Sequence, residues 1–179
     1  MGRPYQPSLL RLLHGLTALL VIGCWLSGLL VYSRYDGRWG RLPFTPDGNW
    51  IDLHGQLGWF LLPVGLAFTA YALTLGKARL RRATNSMALV ALVALVLAVA
   101  TGKLMQENWL RDGELHHLVY ALHLVAWLVI GLAVLVHVAG SLQQGGWPLL
   151  ASMSNTSVRE GDLPGDWPGQ IRRYMKRKR

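Results

Sequence analysis

Six histidines stand in a chain of 179 residues that has nine acidic residues and a single cysteine, Cys24. All six (His14, His54, His116, His117, His123 and His137) fall within or at the edges of long apolar stretches. Ionisable side chains at membrane depth are costly, face the interior of a helix bundle and mark functional sites. His123 and His137 share one stretch, fourteen residues apart. At 100° per residue that spacing is about 40° short of four whole turns, so both lie on one helix face, about 21 Å apart along the axis. Two ligands on one face at opposite depths imply two stacked cofactors, each completed by a histidine from another helix. His14 is level with His137 near one surface, and His54 lies at the depth of His123 near the other. Imidazole pairs without cysteine or carboxylate suit two haem b groups held non-covalently, since no Cys-x-x-Cys-His attachment motif is present. Zinc would be left short of ligands by two histidines. Gly28, fourteen residues after His14, and Gly58 and Gly65, four and eleven after His54, put small residues on the ligand faces. They give the clearance a flat macrocycle needs; in membranes glycines also simply let helices approach.

Helices must position these side chains. With 52% hydrophobic and 15% charged residues, the chain departs from soluble domains, in which about a quarter of residues are charged. A span needs about 20 apolar residues at 1.5 Å rise each. Four stretches reach that length: Leu9 to Tyr32, Ile51 to Leu75, Met87 to Leu110 and Leu115 to Leu142. The first lacks a small-residue cleavage pattern and reads as a mature helix rather than a signal peptide. The expected fold is all-α, an antiparallel bundle of four transmembrane helices in residues 1–142. Residues 143–179 read as a loosely ordered, basic cytoplasmic tail anchored at the lipid surface.

A formal charge of +9 would suggest nucleic acid in a soluble protein; here its distribution matters more, and nucleic acid is not an expected partner. The amino-terminal segment, the second connection and the tail hold thirteen basic against three acidic residues, and the opposite side five against six. The positive-inside rule therefore puts both termini in the cytoplasm. Trp39, Trp50, Trp109 and Trp147 fall near the span ends, as an aromatic belt would.

Three features resemble the prokaryotic cytochrome b561 family over about Arg11 to Met153. They are Arg-Leu-Leu-His14 opening the first helix, Asp52-Leu-His54-Gly opening the second, and the His123-(x13)-His137 spacing. The family comprises four-helix di-haem membrane cytochromes, grouped with the cytochrome b subunits of nickel-iron hydrogenases and formate dehydrogenases. The resemblance implies an inner haem on His14 and His137 and an outer haem on His54 and His123, the pairing that depth also suggests. The chain departs from many members at Gly15, where they have Trp. By resemblance to members that oxidise superoxide, the implied function is electron exchange between an outer-face donor such as superoxide and membrane quinone, in the bacterial inner (plasma) membrane. Another energy-transducing membrane, and a homodimer, stay open. Two other readings are a cytochrome b anchor subunit serving a partner oxidoreductase of hydrogenase or dehydrogenase type, and a non-haem protein with structural or metal-binding histidines.

Other residues stand at informative depths. Lys103, near the outer end of the third helix, is suited to attract an anionic substrate, bind a haem propionate or simply snorkel. Arg11, one turn before His14, is the inner counterpart, a propionate partner or a positive-inside charge. Asp52 and Glu107 are candidates for proton handling at an outer quinone site, or solvated interfacial carboxylates. His116 and His117 read as interfacial, although either could replace His123 as outer ligand because helix starts are legible only to within a few residues.

Overall fold

A computed structural model describes residues 5–76, 86–106 and 114–176, with side chains left undescribed at 86–89 and 114–116. Its elements are α1 (Ser8–Tyr35), α2 (Trp50–Leu73), α3 (Ser86–Gln106), α4 (Glu114–Met153), a 3-10 turn (Pro164–Asp166) and α5 (Trp167–Lys176). The protein is all-α among the described residues. Three helices, α1, α2 and α4, are long and apolar enough to cross a membrane, and Val90–Gln106 of α3 is a shorter apolar helix. Residues 107–110, which the sequence assigns to the third span, lie outside the described residues.

These helices are apolar all round, the pattern of helices surrounded by lipid rather than half-buried on a soluble core. Leu19 is 73% and Leu135 68% exposed. In water such surfaces would be aggregation patches; in a bilayer they are the lipid face. Asn49 caps α2, its side chain accepting the Asp52 backbone N–H. Helix α1 stops at Gly37, whose positive φ of 68° lets its N–H reach back to the Tyr32 carbonyl.

Two differences from the sequence reading concern the C-terminal part. Helix α4 continues past Leu142, because Gln143 and Gln144 end the apolar run but are good helix formers, to a kink at Gly146, beyond which a second helical stretch runs to Met153. Gly146 has a φ of 61° and stands two residues ahead of Pro148. The segment beyond Met153, expected to be loosely ordered, docks on the start of α1. Pro7 gives α1 no side-chain cap; the Asp162 carboxylate takes that part, accepting the Ser8 N–H at 2.7 Å and the Tyr5 hydroxyl at 2.5 Å. A carboxylate at a helix N-terminus satisfies an orphan donor and complements the helix dipole. Trp167 at the start of α5 donates to Ser8 Oγ at 2.9 Å.

α1 packs along α2 and α3 along α4, with much thinner contact between these two hairpins. One bridge between them is Trp25 against Trp127, stacked with ring centroids 4.8 Å apart and planes 11° apart. Each indole N–H donates to the other residue's carbonyl, at 3.2 and 2.9 Å. Gly131 makes room for this stack, because a Cβ there would lie 2.6 Å from Trp25 Nε1.

Candidate functional site

His54, in the first turns of α2, meets His123 of α4 with ring centroids 5.9 Å apart and planes at 89°. The two rings line a cavity of ≈ 340 Å³ together with Trp25, Trp127, Lys103 and Gln106. That volume lies within the range of cofactor and small-molecule sites. Gly28, Gly55, Gly58 and Gly102 also line it. A Cβ on Gly58 would meet nothing within 4 Å, so space lies open beside His54, whereas Gly28 presses on the ring, 3.2 Å from His54 Cε1 to an added Cβ. Gly65, also expected on this face, is buried and turned toward Leu95.

His14 of α1 meets His137 of α4 in the second pair, with centroids 6.1 Å apart and planes at 39°. Phe68 of α2 sets its ring edge-on to His14 at 5.9 Å. An added Cβ at Gly15 or Gly140 would meet nothing within 4 Å. Both pairs thus join α4 to a helix of the other hairpin. Among the described residues no three or more His, Cys, Asp or Glu side chains gather as a metal cluster.

The remaining predicted residues separate. Lys103 holds its ammonium 4.2 Å from the Trp59 ring centroid and donates to Gln106 Oε1 at 2.8 Å. Arg11 is buried at 7% exposure, its guanidinium donating to the tail carbonyls of Asn155 and, at 2.7 Å, Ser157. Asp52 is exposed and accepts the Asn49 amide. His117 is exposed near the start of α4. Glu107 and the His116 side chain lie outside the described residues. The ring facing His54 belongs to His123.

Three features escape the sequence reading. At the C-terminal end of α1 Asp36 accepts the Tyr120 hydroxyl at 2.7 Å and pairs with Arg38 at 2.9 Å. Burial works to raise this carboxyl, but hydrogen bonds from Arg38 and Tyr120 outweigh it and hold the group below its ordinary value. The others are Ser27 and Thr101, whose hydroxyl oxygens lie 3.0 Å from Nδ1 of His54 and His123 respectively. Their one visible signal was a hydroxyl residue followed by glycine in both the first and third helices.

The family model for prokaryotic cytochrome b561 matches residues 5–155, and the chain belongs to that family. No curated protein and no solved structure matches it. Membership and the long apolar helices together make it a membrane-embedded electron-transfer protein of the cytochrome b561 type, multi-pass in a bacterial membrane.

Proposed function

We propose that this member of the prokaryotic cytochrome b561 family is a four-span cytochrome of the bacterial inner membrane with both termini in the cytoplasm. It binds two haem b groups non-covalently, the inner between His14 and His137 and the outer between His54 and His123. Its function is to carry electrons between an outer-face donor such as superoxide and membrane quinone.

The observation that carries this reading is the ring separation in the two pairs. An imidazole nitrogen sits about 2.0–2.1 Å from a first-row metal, with its ring centre roughly 1 Å behind, so two opposed ligands have centroids roughly 6 Å apart. The pairs here stand at 6.1 and 5.9 Å. The donor set, two imidazoles without a thiolate, and the open space beside Gly58 fit the same group. Haem held by these histidines would supply one-electron transfer.

The chain's own residues do the positioning. α4 carries one ligand of each pair and sets their spacing along the axis at about 21 Å. Lys103, steadied by Trp59 and Gln106, puts positive charge on the lining of the outer cavity, where it raises the local concentration of an anionic donor. Asp52 and Glu107 are the carboxylates we assign to proton exchange with quinone on that side. Arg11 locks the start of α1 to the tail one turn before His14.

A reduced-minus-oxidised spectrum of the purified protein, with a haem-to-protein ratio, tests the reading. Two low-spin b haems per chain support it; one removes one histidine pair as a site, and none ends the cytochrome reading.

A further inference from the structure

We propose that Ser27 and Thr101 are a matched pair of positioning residues that hold the two outer histidines in one tautomer and strengthen them as ligands. The inference rests on the outer haem site proposed above. Ser27 Oγ lies 2.7 Å from the Gly23 carbonyl, 3.2 Å from that of Cys24 and 3.0 Å from His54 Nδ1. Thr101 repeats the arrangement on α3: Oγ1 lies 2.6 Å from the Leu97 carbonyl, 3.1 Å from that of Ala98 and 3.0 Å from His123 Nδ1.

A hydroxyl has one proton to give and two lone pairs to receive. If that proton went to the histidine, the hydroxyl and carbonyl oxygens would face each other at 2.6–2.7 Å with no hydrogen between them. The hydroxyls therefore donate to the carbonyl one turn back, as serine and threonine do inside helices, and accept from Nδ1–H. Each histidine then carries its proton on Nδ1 and keeps the Nε2 lone pair for a metal. Such a partner fixes ring orientation and raises the basicity of the ligand. Both hydroxyl residues are buried, at 4% and 3% exposure, so water does not compete.

The next residue completes the device. An added Cβ on Gly28 would lie 3.2 Å from His54 Cε1, and on Gly102 3.4 Å from His123 Cε1. Each glycine lets the ring lie flush against the helix that carries the hydroxyl. The device thus occurs once per hairpin, on α1 for α2 and on α3 for α4, and it gives α3 a role although α3 supplies no ligand. Among the described residues no hydroxyl lies against the ring nitrogens of His14 or His137, whose contact is instead the ring pair itself, so the two pairs are chemically unequal. The outer site has the stronger donors, which favour its oxidised form.

The test is a redox titration of the full-length, haem-loaded protein as wild type, Ser27→Ala, Thr101→Val and the double variant. His14→Ala and His54→Ala, made singly, identify which transition belongs to which haem. The outer midpoint is expected to rise, with about a tenfold change in its oxidised-to-reduced ratio at fixed potential, about 59 mV for a one-electron couple. Transfer of the outer haem to apomyoglobin should become roughly 10–100-fold easier. The inner midpoint should stay in place, and Ser27→Thr and Thr101→Ser should restore the outer one. An unchanged outer midpoint in a protein that holds both haems overturns the inference alone, as does an equal shift of both haems. A wild type without haem overturns the proposed site itself.

Discussion

Removing histidines in combination separates the proposed pairing from any other use of the same four side chains. His54 and His123 lie in one ring contact, and His14 and His137 in another, while the fourteen residues between His123 and His137 place the pairs about 21 Å apart along α4. Effects at sites more than about 7–10 Å apart and sharing no partner add, whereas effects inside one contact do not. Each single alanine variant should therefore retain about half of the wild-type haem absorbance. The double variant His54→Ala/His123→Ala should look like either of its singles, since the second change removes a ligand from a site already broken. His14→Ala/His54→Ala breaks one ligand in each pair and should retain almost none. The assay is the pyridine haemochrome ratio of purified protein, with expression checked by the apoprotein yield. If His54→Ala/His123→Ala loses all haem while His54→Ala/His137→Ala keeps half, the pairing is crossed and the reasoning from depth and ring separation fails.

Gly131→Ala should force Trp25 off Trp127: overpacking costs about 1–3 kcal/mol and the lost stack about 0.5–1.5 kcal/mol. Thermal unfolding in detergent should show a lower midpoint, and an unchanged midpoint would place the stack outside the stabilising contacts. Asp162→Ala should cost about 0.5–2 kcal/mol as the loss of a helix cap, read as faster proteolysis between Met153 and Asp162. Burial works to raise the Asp162 carboxyl, but hydrogen bonds from Tyr5, Ser8 and Gln170 outweigh it and hold it below its ordinary value. The wild-type tail contact should accordingly be complete above the free aspartate value of about 3.9 and be lost as pH falls through the lower folded value. Lys103→Met should slow reduction by superoxide roughly tenfold at low ionic strength and little at high salt, where steering is screened; equal rates at low salt would remove Lys103 from donor capture.

The histidine arrangement was legible because helix periodicity converts sequence spacing directly into angle and depth. His123 and His137 had to share a face, and partners at their depths were few. The tail was not legible, since the contacts of Asp162 and Asn155 with Ser8 and Arg11 join residues about 150 apart and leave no local trace. Arg11 shows the same limit: its charge and depth suit a propionate or the cytoplasmic rule equally, and only the folded chain reveals two carbonyls taking its donors. Ser27 and Thr101 lie between these cases. A hydroxyl inside an apolar helix usually just bonds its own backbone, and both do. What makes them more than that is a histidine 27 or 22 residues later, brought alongside by the hairpin turn.

The hairpin arrangement also assigns the cofactors a share of the folding energy. Each proposed haem joins the α1–α2 hairpin to α4, at the interface where direct helix contact is thinnest. A ligand that binds only the folded state stabilises it by about 2.7 kcal/mol at a hundredfold excess over its dissociation constant and about 4.1 kcal/mol at a thousandfold. Haem should therefore stabilise the joint between hairpins far more than either hairpin itself. Hydrogen exchange can separate the two. In protein made under haem depletion, the indole N–H groups of Trp25 and Trp127, which bond across the joint, should exchange faster than in haem-loaded protein. Backbone amides on the α1 face against α2 should change little. Equal indole exchange in both preparations would mean that the Trp25–Trp127 stack closes the joint by itself. The histidine pairs would then be held at their 6 Å separation by packing, as a preformed site rather than one completed by its ligand.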